Sequence, residues 1–79
     1  MSLTITLDSI RTGQKVRVVE VLGGWGLRQK LNELGIVPNQ VISVSNSSIW
    51  RGPIVVRINS NEVALGRGVA RKVVVEVIP

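Results

Sequence analysis

Residues 23–39 read Gly-Gly-Trp-Gly-Leu-Arg-Gln-Lys-Leu-Asn-Glu-Leu-Gly-Ile-Val-Pro-Asn, and they hold the one convincing helical period in the chain. Leu27, Leu31 and Leu34 recur at i, i+4 and i+7, while Arg28, Gln29, Lys30, Asn32 and Glu33 fall on the other faces. This spacing predicts a short amphipathic helix with the three leucines turned to the core. Gly35 stands just past the last of them, where a left-handed residue stops a helix and only glycine adopts that conformation without a Cβ penalty. Ile36 is then placed to touch Leu31. Pro38 prevents the helix from resuming, and Pro38-Asn39 suits the centre of a tight turn with Asn39 at positive φ. The helix is expected to end at about Leu34.

Outside this stretch the chain reads as strand and turn. Leu7 and Ile10 form two apolar anchors, expected to lie across one end of the core, and Thr12-Gly13 signals a turn into the first long strand. That strand, Lys15 to Leu22, changes phase at Val18-Val19, so its buried face switches midway and a β-bulge or sharp bend is expected there. Val41 to Val44 reads as the next strand, followed by a polar loop at Asn46-Ser47-Ser48. In Ile54 to Ile58 the residues Ile54, Val56 and Ile58 face inward, with Pro53 at the strand start, where a missing N–H is tolerated. Asn59-Ser60-Asn61 turns into a short strand to Leu65, and Lys72 to Ile78 forms the last strand. Between these two, Gly66-Arg67-Gly68-Val69-Ala70-Arg71 breaks the pattern and has room for one helical turn. The expectation is a mainly β fold, a small barrel of about five strands with one inserted short α-helix, in a single domain over residues 1–79.

Composition narrows the function. There is no cysteine and no histidine, so thiolate and imidazole ligands are both missing. The carboxylates Asp8, Glu20, Glu33, Glu62 and Glu76 are dispersed without metal-ligand spacing. The same absences remove the usual nucleophile and base pairings, and no enzyme, cofactor or metal site is expected. Gly24-Trp25-Gly26 lies between strand and helix, as a nucleotide-binding loop would, but the third glycine of the dinucleotide pattern falls on Gln29 and no phosphate-loop lysine follows. Both aromatics are tryptophan, so the core must be built from valine, isoleucine and leucine. Ten Lys and Arg against five Asp and Glu give +5, which favours an acidic partner. Runs of apolar residues fall far short of the ~20 needed to span a bilayer, and the chain is expected in the cytoplasm.

Four groups of residues fit together as a pattern: Leu7, Ile10 and Gly13; Leu31-Asn32-Glu33-Leu34-Gly35-Ile36-Val37-Pro38; Gly52-Pro53-Ile54-Val55-Val56; and Val63-Ala64-Leu65-Gly66 with Ala70. From Leu7 to Val77 the chain resembles the FeoA family of ferrous iron transport proteins. Asn39 departs from the family pattern, which usually has glycine after the proline. The resemblance implies an SH3-like β-barrel with an inserted helix. It also implies a cytosolic accessory to the FeoB-type ferrous iron transporter, a membrane protein carrying a guanine-nucleotide-binding domain. The same module occurs as the C-terminal domain of metal-dependent repressors of the diphtheria toxin repressor type, but this chain has no DNA-binding helices.

Partner contacts are expected where tryptophan and arginine lie together, because both residue types dominate interfaces. Trp25, Leu27 and Arg28 at the helix start, Trp50 with Arg51, and Arg67 are the candidates. For each indole the competing reading is that it covers an open barrel end. The alternative function is a basic small barrel that binds nucleic acid, against which stand the lack of any Phe or Tyr stacking platform and of a concentrated basic stripe.

Overall fold

In the computed structural model, which describes residues 3–47 and 52–79, the leucine-spaced segment forms helix α1 over Trp25–Glu33. Leu34 caps it, and Gly35 takes φ +91°. The Ile36 amide donates to the Leu31 carbonyl at 2.9 Å and the Gly35 amide to the Asn32 carbonyl at 3.0 Å, the two bonds of a Schellman stop. Leu31 and Ile36 are both buried in the core. The Gln40 amide then donates to the Val37 carbonyl at 3.1 Å, with Asn39 at φ +75°, so Pro38-Asn39 is the centre of a tight turn as expected.

One of the three leucines does not follow the expectation. Leu31 is buried and Leu27 packs half-buried against the core, but Leu34 is 37% exposed. The cause is the stop itself: the left-handed turn at Gly35 brings Ile36 inward and leaves the cap residue at the rim.

Among the described residues, six strands make one antiparallel sheet: β1 Thr4–Thr6, β2 Lys15–Val21, β3 Val41–Ser47, β4 Ile54–Ile58, β5 Asn61–Leu65 and β6 Val73–Ile78, in the order β1-β6-β2-β3-β4-β5. The mainly β, SH3-like barrel with an inserted helix is thus the observed fold, with β1 as a strand beyond the five expected. β1 pairs Ile5 with Val75 along β6. The strands β1 and β5 are the two edges of the sheet. Each runs directly into a short helical turn, β1 into the 3₁₀ turn Leu7–Ser9 and β5 through Gly66 into α2, Arg67–Ala70. These two turns touch each other. They seal the barrel with the buried side chains of Leu7, Ile10 and Ala70, and Arg71 reaches Asp8 at 3.8 Å across the seam.

The bulge expected at Val18-Val19 is present: β2 and β6 pair in register up to Val18 and again from Glu20, with Val19 as the extra residue. Its effect on burial is direct. Val16 and Val18 point inward, Val19 and Glu20 both face out, and Val21 returns to pack against the core. Strict alternation would have driven the Glu20 carboxylate inward, at a cost of several kcal/mol for an unpaired buried charge. A second register shift lies between Val44 and Asn46 in β3. There Asn46 and Ser47 of the expected polar loop are instead strand, Ser48 lying outside the described residues, and the Ser45 hydroxyl donates to the Val55 carbonyl at 3.2 Å. Polar residues are tolerated there because β3 has bent away from the interior.

Among the described residues the buried side chains are all aliphatic, and none is polar or charged. Ion pairs lie outside: Arg17 with Glu76 and Arg57 with Glu62, each pair directly opposite in register on neighbouring strands. Exposed pairs of this kind contribute up to about 1 kcal/mol each.

The helix stop yields two stability predictions, both read by denaturant unfolding. Leu31→Ala is expected to cost about 2–5 kcal/mol and Leu34→Ala under about 1 kcal/mol, although the two occupy one helical face. A Cβ at Gly35 would stand 3.2 Å from Ile58 Cγ2 at φ +91°. Gly35→Ala is therefore expected to lose at least about 1–2 kcal/mol from the left-handed conformation alone, lowering Tm by about 4–8 °C for each kcal/mol.

Candidate functional site

Helix α1 begins without a side-chain cap. Gly24 is its N-cap, with extended backbone, and the first turn carries no acidic residue. The approach through Gly23 is tight: at φ +120°, a Cβ there would lie 3.1 Å from Leu27 Cδ2 and 3.5 Å from Lys72 Cδ. Glycine is required because the Leu27 side chain and the Lys72 stem both pack over its backbone. Leu27 is thereby drawn toward the core, and its neighbours on α1 are turned outward.

Trp25, Arg28, Gln29 and Asn32 are spaced i, i+3, i+4 and i+7, one face of α1. That face forms one wall of an open cleft of about 410 Å³, whose other walls are Glu20 and Val21 of β2 and Ile36, Val37 and Pro38 beyond the helix stop. Trp25 is 79% exposed. It does not cover the barrel end, and the reading of this indole as a lid on the core is set aside. An exposed indole beside a guanidinium offers apolar area and hydrogen-bond donors together, the combination that dominates interfaces.

The expected contact residues are therefore only partly assembled. Trp25 and Arg28 meet on the cleft wall, with Leu27 beneath them as part of the packing. Arg67 lies on α2, at the start of the segment that ends at Lys72, and does not line this cleft. Trp50 and Arg51 fall outside the described residues. Glu20, Asn32 and Pro38 were not anticipated as cleft walls. For Glu20 the signal was available, since a bulge at Val19 leaves the next residue facing out; for Pro38 the turn chemistry drew attention to the backbone and away from the ring.

No group of three or more acidic residues among the described ones is placed to hold a metal ion. Among the described residues, no helix is long and apolar enough to cross a membrane.

Comparison with known proteins adds to this geometry. The chain is 30% identical over 66 residues to the putative Fe(2+) transport protein A of Methanocaldococcus jannaschii, spanning 84% of this chain and 78% of that protein. A crystal structure described as an iron uptake regulatory protein (FeoA) superposes with a TM-score of 0.90 at 34% identity, covering 96% of this chain and 100% of the other. A manganese-dependent transcriptional repressor shares the fold, with a TM-score of 0.88 at 22% identity, over 99% of this chain but 44% of the repressor. Residues 5–77 match the family model for the FeoA domain, and the chain belongs to the FeoA domain family.

Proposed function

We propose that this chain is a non-enzymatic accessory of ferrous iron transport that binds the cytosolic portion of a FeoB-type membrane transporter and modulates it. Family membership over residues 5–77 carries this reading, supported by relatives whose names refer to Fe(2+) transport and iron uptake. The 79 residues act as one module in this account, in the cytoplasm. The barrel supplies rigidity and α1 supplies contacts. Trp25 is the central anchor, Arg28 a charged neighbour, and the cleft between α1 and β2 receives a side chain of the partner. Leu27 holds the anchor in place from below. Trp50 and Arg51 complete the docking set from the sequence pattern, and Arg67 contributes charge from α2.

An enzyme reading has little to work with, because the chain contains no histidine or cysteine to serve as base, nucleophile or soft metal ligand. Recognition by a surface asks only for shape, area and charge.

Binding of the purified chain to the transporter's cytosolic portion, measured by calorimetry, tests the docking face. Trp25→Ala is expected to weaken binding by about 2 kcal/mol or more, the scale of an interface hot spot, and hence by roughly thirtyfold. Lys15→Ala, at the opposite end of β2, is expected to leave it unchanged. Full affinity in Trp25→Ala would remove this face from the interface.

A further inference from the structure

Three of the chain's carboxylates lie on strands, and two of them are matched across a neighbouring strand. Glu76 lies opposite Arg17 and Glu62 opposite Arg57, and both pairs are joined. The third, Glu20, lies opposite Val74, because the bulge at Val19 shifts β2 against β6 by one residue. Valine has no charge to offer. The β3 side offers none either, since the pairing of β2 with β3 and its extension end at Val18. Beyond that point Glu20 fronts the cleft beside α1.

Arg28 is left over in the same way. Its neighbours one turn away on α1 are Gly24, Trp25, Leu31 and Asn32, none of them acidic. Among the described residues neither Glu20 nor Arg28 forms an ion pair or a side-chain hydrogen bond. Both line the same cleft, yet they do not pair with each other. The cleft is therefore polarised, with a carboxylate on the β2 wall and a guanidinium on the α1 wall, and Val21, Val37 and Pro38 add apolar surface to it. A partner that covers the cleft strips water from both charges. Covering a charge without supplying its counter-charge is costly, so an occupant lacking either one is rejected.

We infer that the α1–β2 cleft takes a polypeptide segment of the partner that presents a Lys or Arg to Glu20 and an Asp or Glu to Arg28. Charge complementarity selects this occupant over a uniformly acidic one, despite the net charge of +5. An acidic tract would satisfy Arg28 but set like charges against Glu20, and a basic tract would fail at Arg28. The inference rests on the transporter reading of the same face and adds to it the charges that the partner must carry. Docking of the indole asks only for an apolar surface, whereas the two charges fix which way round the segment lies.

Calorimetry with the transporter's cytosolic portion tests the inference through three variants. Glu20→Lys and Arg28→Glu are each expected to weaken binding at least about tenfold, by setting like charges face to face. The double variant, Glu20→Lys with Arg28→Glu, restores the net charge of +5 but reverses the cleft, and it is expected to bind no better than either single variant. Both residues are exposed, and thermal unfolding checks that every variant is folded. Recovery of full affinity in the double variant would overturn the inference, because net charge alone would then explain the losses. Full affinity in Glu20→Lys alongside a loss in Trp25→Ala would also overturn it, and would leave the transporter contact standing. Failure of the unaltered chain to bind the transporter would remove both.

Discussion

The aliphatic core has to be sealed without any polar group entering it, and the rest of the structure follows from that constraint. Valine, isoleucine and leucine offer no hydrogen bonds, so every backbone and side-chain polar group near the interior must be turned out or paired elsewhere. Three local devices accomplish this. The bulge at Val19 keeps Glu20 outside while returning Val21 to the core. The register shift in β3 lets Ser45 and Asn46 lie within a strand without entering the interior. The stop at Gly35 replaces the helix's last leucine by Ile36 as the residue that closes the core.

The bulge and the register shift bend their strands, and the two bends curl the sheet. A sheet of six short strands with one packed face has two edges to protect. Here the edge strands β1 and β5 lead directly into helical turns that touch across the seam, with Asp8 and Arg71 facing each other above the buried Leu7 and Ala70. The insertion of α1 between β2 and β3 has the same logic. It fills the connection from the end of β2 to the start of β3, where the Val18 amide donates to the Gln40 carbonyl at 2.9 Å and the Asn39 amide to the Val18 carbonyl at 2.8 Å, extending the pairing that begins at Arg17 and Val41.

Much of this was legible in the residues because the signals are local. A phase change at Val18-Val19 has few explanations other than a bulge, and glycine followed by isoleucine after a leucine period specifies a helix stop. What escaped notice lacked such a signal. Thr4-Ile5-Thr6 is too short to display a period, and it is a strand because β6 offers Val74, Val75 and Glu76 as partners, a fact of tertiary pairing. Asn46 and Ser47 looked like a loop because polar residues mark loops on average, whereas here the partner strand β4 decides. The helical face itself was read one leucine too far, since a period gives direction but not depth. The candidate surface was harder still. Sequence placed Trp25 beside Arg28, but whether an indole covers the core or stands in solvent depends on the path of the backbone through Gly23, where Leu27 takes the inward position.

The surface can be argued from the interior. Because the described core contains no donor, acceptor or charge, recognition by this fold is confined to its outside, and there the distribution of groups is uneven. Glu76 and Glu62 are held by arginines directly across neighbouring strands, so those parts of the sheet are close to neutral. Around the Leu22–Lys72 hydrogen bond, Arg71 reaches Asp8, and Glu20 shares the walls of the cleft with Arg28 and Trp25. A tryptophan left 79% exposed is unfavourable for an isolated globule, which would gain by covering the ring. An indole at the mouth of a cleft offers apolar area that contact with another macromolecule would bury. A barrel stiffened from within by close-packed branched side chains suits that task, since little conformational freedom remains in the scaffold to be lost when the surface is covered.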